Sequence, residues 1–417
     1  MSSSTIAGAV SVPRIANWAK VMLVMAVLGE MCLAGDFYGF AAVMPFVSKS
    51  LNLNPGQAGL VQGAFGVTYA IGMFVWAPLG RRISSRVLYV IGLGGSGLLM
   101  LVQAHAASFE SLLALRLVIG FFDAAVWVGS MKIILEWFPV KRQGLMMGII
   151  LAAYSLAITL DFAAGIPYTI AHGWPQLFSL LGVLTLIVGG IALVFSRTGP
   201  YADPHAAASS GNAAGGNNIG AIFRSRWLYI GILAIFGDLF ALAASATWVI
   251  PNFIKTQGLP VAMAATVGAV LGLAQIGFLL VGGWVADKIA RETVLKIGAV
   301  LALAAALMCL ATTIWTMPVP VLMLVAVLCG VAVFSGGAIF SLVGERFGPS
   351  LGAPATAYAE VGGVLATFVA PALMGFILEW SNSFTAAFWA FVAVEAIVVA
   401  VLFSALRDKA AVRTVAA

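Results

Sequence analysis

Long apolar runs, broken at intervals by glycine, proline and small clusters of charge, follow one another along the whole chain. A helix crossing the hydrocarbon of a bilayer needs about 20 such residues. Breaking the sequence at its charged and Gly/Pro clusters predicts twelve spans. They fall at residues 20–46, 54–79, 87–106, 110–137, 144–170, 175–197, 227–254, 261–284, 293–314, 318–343, 352–378 and 384–406. Composition agrees: 62% of residues are hydrophobic, 9% are charged and the mean hydropathy is +1.08, beyond what a water-soluble core requires. Residues 1–17 lack the order of a signal peptide and read as a cytoplasmic tail.

Charge placement orients the spans. The segments on the N-terminal side hold Arg14, Lys20, Arg81, Arg82, Arg86, Lys141, Arg142, Arg197, Arg224, Arg226, Lys288, Arg291, Lys296, Arg346, Arg407, Lys409 and Arg413, whereas the opposite side holds Lys49 and Lys255. Lysine and arginine collect on the cytoplasmic side of membrane proteins, so both termini are expected in the cytoplasm. The net charge of +6 follows from that bias. Nucleic-acid binding is excluded, because the basic residues are scattered over short loops and form no single face. Cys32, Cys309 and Cys329 all fall inside spans, an odd number without metal-ligand spacing, and read as small packing residues.

The chain repeats itself. Pro45 in VMPFVSKS and Pro251 in VIPNFIKT stand 206 positions apart, as do Arg81 in APLGRRISSRVL and Asp287 in GWVADKIARETVL. Between the halves, SRTGPYADPHAAASSGNAAGGNNIG offers almost nothing to pack and reads as a flexible linker. The predicted organisation is therefore residues 1–197 as one six-helix bundle, 198–226 as a cytoplasmic linker and 227–417 as a second bundle. Two parallel six-span repeats resemble the major facilitator superfamily, an all-α membrane fold. The loop Gly283-Trp-Val-Ala-Asp287-Lys288-Ile-Ala-Arg291 is similar to that superfamily's loop signature, and the resemblance makes Arg81, Asp287 and Arg291 candidate gating residues. Arg81 stands where the family has an acid.

Within the spans, charge is scarce, costly and a pointer to a substrate or ion pathway. Arg116 and Asp123 lie seven residues, about two turns, apart in the fourth span and so project from one face. Asp36 and Glu30 lie six apart in the first span, leaning to different faces. Asp161, Asp238 and Glu360 sit in the fifth, seventh and eleventh spans. Phe37, Tyr38, Trp127, Tyr154, Trp248 and Tyr358 occupy similar depths and are candidates to wall a ligand.

The acid nine positions before Pro45, the stretch NLNPGQAGLVQGAFGVTYAIG, Arg116-x-x-x-Gly120-x-x-Asp123 and Glu136-Trp-Phe-Pro-x-Lys-Arg-x-Gly144 together resemble the anion:cation symporter family, which takes up organic acids with protons. The resemblance implies a proton-coupled symporter of a small organic anion. Arg116 would contact the carboxylate, and Asp36 and Asp123 would carry protons, with Glu30, Asp161, Asp238 and Glu360 as further acids. Guanidinium binds carboxylates bidentately. A carboxylate among Phe121, Phe122 and Trp127 is poorly solvated, which suits it to proton carriage. Phe37 replaces the arginine common after the first-span acid, which favours a smaller or more apolar carboxylate. The alternative is a proton-coupled exporter of amphipathic compounds. An enzyme is not expected, since His105, His172 and His205 lie apart and no phosphate loop, nucleophile or metal motif is present. The chain should need no cofactor beyond a proton gradient, act as a monomer, and reside in a bacterial inner membrane.

Overall fold

The structure, a computed structural model, describes residues 12–80, 82–200, 219–286 and 288–406. Among them, twelve helices are long and apolar enough to cross a membrane. The first six are α1 (Val12–Leu51), α2 (Pro55–Leu79), α3 (Ser85–Gln103), α4 (Phe109–Trp137), α5 and α6 (Trp174–Phe195). Here α5 begins as Val140–Leu160, passes a π-helical turn at Asp161–Gly165 and ends as Ile166–His172. The second six are α7 (Arg226–Thr256), α8 (Val261–Ala286), α9 (Arg291–Ile314), α10, α11 (Val361–Ser381) and α12 (Phe384–Ala405). Here α10 is Val319–Gly330, a 3₁₀ turn at Val331–Val333, and Gly336–Ala359. The eleventh span thus starts nine residues later than the predicted 352, because the helix from Gly336 continues through that stretch to Ala359. Hydropathy does not separate these small residues from a span.

The repeat is visible in the backbone. Four described residues have a positive φ: Asn52, Gly173, Gly258 and Asn382. Each sits in a tight turn on the face poor in lysine and arginine (the far face, opposite the basic one). Asn52 and Gly258 are 206 positions apart, the spacing already read from the prolines. These turns need the left-handed conformation that glycine and asparagine adopt at least cost. Helix starts are capped locally: Asn54 and Gln57 form a capping box around Pro55, and Ser84, Ser108, Ser225 and Ser383 cap α3, α4, α7 and α12.

Helices α1–α6 pack on one another, with α2 along α4 and α3 along α4 and α6; α7 packs along α11 and α9 along α12. Of the predicted linker, residues 201–218 lie outside the described residues, while Ile219–Arg224 forms a short helix whose Ile222 is buried against the second bundle.

The core has a telling distribution. On the far side a single cluster takes side chains from both bundles, including Phe40, Phe65 and Phe162 of the first and Phe240, Trp248 and Phe388 of the second. Toward the basic face the cores are separate, one around Tyr89, Ile133 and Trp137, the other around Trp227, Leu295 and Ile339. The halves are therefore joined at the far face and part toward the basic face.

The seam explains how. Gly56, Gly59, Gly63 and Gly66 form one stripe on α2, and a Cβ at each would strike Phe376, Pro371, Phe368 and Thr367 of α11. Gly268 and Gly272 of α8 receive Phe162 and Thr159 of α5 in the same way. Lipid tails are as apolar as leucine, so helices in a membrane gain little from burying apolar surface; close backbone approach at small residues supplies the contact instead. Asn54 Nδ2 donates to Glu379 Oε1 across the seam at 2.8 Å.

Candidate functional site

Arg116 of α4 is the centre of the polar group in the first bundle, and it is sealed, with no exposed surface. Its Nη1 donates to Asp36 Oδ1 at 3.1 Å and to the Asp36 carbonyl at 3.1 Å, and its Nη2 donates to the Phe37 carbonyl at 3.3 Å. The Phe40 and Phe65 rings lie 5.2 and 5.1 Å from the guanidinium carbon, within cation–π range. Gln62 Nε2 joins at the Phe37 carbonyl, 3.2 Å away. In this conformation Arg116 ties α1 to α4 and presents no free edge to a ligand. The sequence allowed either an anion contact or a structural lock between spans, and in this conformation, with Phe40 and Phe65 packed over the guanidinium, Arg116 is the lock.

Asp123 reaches the same place. It lies against Asp36 and within electrostatic reach of Arg116, as the shared helix face requires. Asp36 and Asp123 are each 1% exposed, and each keeps one oxygen without a hydrogen-bond partner. Asp161 approaches from the π-helical turn of α5. Its Oδ1 lies over Gly35 and Gly39 of α1, 3.7 and 3.6 Å from where a Cβ on each would be. A π-turn inserts one residue into a helix and is frequent at functional positions. Asp161 does not take up the guanidinium, whose hydrogen bonds go to Asp36 and to α1 carbonyls. The result is a guanidinium flanked by two buried carboxyl groups, Asp36 and Asp123, with a third, Asp161, within electrostatic reach of Asp36.

Glu30 points elsewhere, to Ser130, which in turn shares a 2.7 Å hydrogen bond with Tyr89. Like Asp36 it is buried, at 1% exposure. Both first-span acids therefore enter the bundle, each toward a different neighbour, as their six-residue spacing implies.

The aromatic candidates divide. Phe37 is packed between Tyr38 and Phe65, at ring distances of 4.6 and 4.7 Å, and is buried. Trp248 is buried on the far side, its indole N–H donating to the Pro371 carbonyl at 3.2 Å, so it binds α7 to α11 and walls no ligand in this conformation. Tyr358 packs on Phe223 of the linker helix at 4.9 Å. Tyr38 and Tyr154 meet edge to face at 5.8 Å, and the Tyr38 hydroxyl has no hydrogen-bond partner. Tyr154 and Trp127 are half-buried.

Tyr69, which sequence reasoning passed over, belongs with them. It is half-buried one turn beyond Gly66, where α2 leaves the seam, and it is within electrostatic reach of Glu30 and Asp123 and of Glu360 in the other bundle. Its position inside the stretch NLNPGQAGLVQGAFGVTYAIG was the available signal. Tyr69 thus stands within electrostatic reach of acids from both bundles. Asp238 is not among them: it is buried inside the second bundle against Ser335.

Arg81 and Asp287 lie outside the described residues. Their surroundings are described. Lys132 of α4 donates to the carbonyls of Gly80 and Ile83, at 2.6 and 2.9 Å, and pairs with Glu136 at 3.5 Å, so it holds the α2–α3 turn in the half whose loop lacks the acid. In the other half Arg291 pairs with Glu345 and Glu292 with Arg346, docking the start of α9 on α10. No group of three or more His, Cys, Asp or Glu side chains among the described residues is placed to hold a metal.

Comparison with known proteins agrees with this architecture. The sequence profile described as Major Facilitator Superfamily matches residues 26–340 and 239–416. The chain is 22% identical over 264 residues to the "Hexuronate transporter" of Bacillus subtilis, covering 63% of each protein. It is 28% identical over 148 residues to the "Putative glycerol-3-phosphate transporter 1" of Arabidopsis thaliana, covering 34% of this chain and 28% of that protein. Among solved structures, a bacterial homolog to the human lysosomal transporter Spinster, in an inward-facing and unoccupied conformation, superposes with a TM-score of 0.78 at 16% identity, covering 93% of this chain and 97% of that one.

Proposed function

The chain belongs to the Major Facilitator Superfamily, and from that premise we propose that this transporter carries a small organic anion together with protons, exposing a site between its bundles to each side in turn. The excess of buried carboxyl groups over guanidinium carries the reading. With Asp36, Asp123 and Asp161 all ionised, Arg116 would leave two negative charges uncompensated in an apolar interior, a state that protons relieve. A proton on Asp36 weakens the charge-assisted bond that holds α4 to α1, because that bond owes much of its strength to the carboxylate charge. An arriving anion then competes for the released guanidinium, so ligand and proton favour the same rearrangement.

The relatives named for a hexuronate and for glycerol-3-phosphate support an anionic substrate. The separate cores toward the basic face support a pathway opening there, which lysine and arginine placement puts in the cytoplasm. One chain supplies both bundles, so a monomer suffices. Export of amphipathic compounds is the competing reading, favoured by the half-buried rings of Tyr69, Trp127 and Tyr154.

The deciding assay is uptake into proteoliposomes of labelled sugar acids, short carboxylates and phosphate monoesters. An inward proton gradient should accelerate at least one of them, and Asp123→Asn should remove the acceleration. No acceleration for any anion, with proton-driven movement of an amphipathic dye instead, would replace symport by export.

A further inference from the structure

Glu395 of α12 is a carboxyl group that the mechanism above does not use. It has no exposed surface, and neither of its oxygens has a hydrogen-bond partner. Its direction is fixed by its neighbours on the same helix face. Phe391, one turn before it, meets Phe240 of α7 at 6.0 Å, and Val398, one turn after it, fills the space beside Gly237. Glu395 therefore points at the part of α7 between Gly237 and Phe240, where Asp238 stands, and the two are within electrostatic reach of each other. On the other side of Asp238, Ser335 Oγ lies 2.8 Å from both carboxylate oxygens.

No cation answers this pair among the described residues. Lys296 of α9 turns to the Leu406 carbonyl, Arg291 and Arg346 pair with Glu345 and Glu292, Arg226 and Lys288 lie over Trp227 and Trp284, and Lys255 lies over Phe384 at the far end of α7. The remaining titratable groups on the surrounding helices are also turned away. Cys309 and Cys329 contact each other at 3.4 Å, Glu379 holds Asn54, Tyr229 donates to the Phe223 carbonyl, Tyr358 packs on Phe223, and Glu360 is within electrostatic reach of Tyr69. Two carboxyl groups in an apolar interior without a cation cannot both be charged at tolerable cost. The hydroxyl donor sits on Asp238 and suits its anion; Glu395 has no donor and suits the neutral acid. Ser335 also follows the 3₁₀ turn at Val331–Val333, where the regular ladder of α10 is interrupted, and polar backbone inside a membrane is tolerated where it serves a site. One hydroxyl and two carboxyl groups are too few oxygens for a six-coordinate metal cation, but they suffice for a proton.

We propose that Asp238, Ser335 and Glu395 form an exchangeable proton site within the second bundle, separate from the Asp36–Arg116–Asp123 group, with the proton held on Glu395. The site does not depend on which solute is carried. The test is infrared difference spectroscopy of the purified full chain in lipid bilayers, comparing H2O with D2O and stepping the pH. A protonated-carboxyl C=O band should shift on deuteration, be absent in Glu395→Gln, and persist at an altered frequency in Asp238→Asn and in Ser335→Ala. Asp36→Asn should leave it in place. Persistence of every protonated-carboxyl band in Glu395→Gln, or a band that fails to shift in D2O, would overturn the proposal. Should Glu395→Gln not fold, unaltered bands in both Asp238→Asn and Ser335→Ala would overturn it equally. Stabilisation of the wild type by Na+ at constant pH, lost in Asp238→Asn, would replace the proton by a metal cation.

Discussion

Gly63→Ala should open the far face without unfolding either bundle. A Cβ at Gly63 would sit 2.7 Å from the Phe368 carbonyl oxygen and 3.2 Å from Phe368 Cα. Both atoms are backbone, so no rotamer change relieves the contact. Ordinary separation is about 3.5 Å, which forces α2 and α11 apart by a large fraction of an ångström. Overpacking of this kind costs about 1–3 kcal/mol. The cost falls on the conformation in which α2 meets α11, while the gain in helix propensity of about 1 kcal/mol from replacing glycine is common to every conformation and cancels. The equilibrium between closed and open far face should therefore move by about 5- to 150-fold. Spin labels at Ser50 and Trp380, both exposed on that face, would report it as a longer-distance population in pulsed dipolar spectroscopy. Gly94→Ala is the control, since nothing lies within 4 Å of the added Cβ there. Identical distance distributions in Gly63→Ala, Gly94→Ala and the wild type would refute the claim that the glycine stripe holds the seam.

Two further outcomes follow from the same contacts. Arg116→Gln strands the buried Asp36 carboxyl and should cost about 3–5 kcal/mol in thermal unfolding, most of it recovered in the Arg116→Gln/Asp36→Asn double variant. A double variant no more stable than the single would show that the pair is not what the arginine supports. Glu379→Gln keeps a hydrogen-bond acceptor for Asn54 at an exposed position and should change the spin-label distances by the equivalent of less than about 1 kcal/mol. If it opened the far face as far as Gly63→Ala does, the latch would be polar and the stripe incidental.

The local chemistry was largely legible. Hydropathy located the spans, and the Pro45–Pro251 spacing revealed the same 206-residue repeat that the Asn52 and Gly258 turns express in the backbone. The seven-residue spacing of Arg116 and Asp123 put them on one helix face, and the structure keeps both at the Asp36 carboxyl. Trp248 and Tyr358 read as ligand walls because an aromatic ring at suitable depth gives no hint of which neighbour will cover it. Tyr69 was passed over although it lies inside the stretch NLNPGQAGLVQGAFGVTYAIG, because that stretch does not say which of its side chains faces the other bundle.

Which side chains are buried in a bilayer, how many helices they form and which charges share a helix face are consequences of composition and of the 3.6-residue period, and both are properties of the chain alone. Which helix stands opposite each face is not. The sealing of Arg116 by Phe40 and Phe65, the turning of Glu395 toward Asp238 and the meeting of Gly63 with Phe368 join residues that are distant in sequence. Such contacts arise only when the bundles are assembled, because close packing between helices depends on backbone shape at small residues, and hydropathy carries no record of that shape.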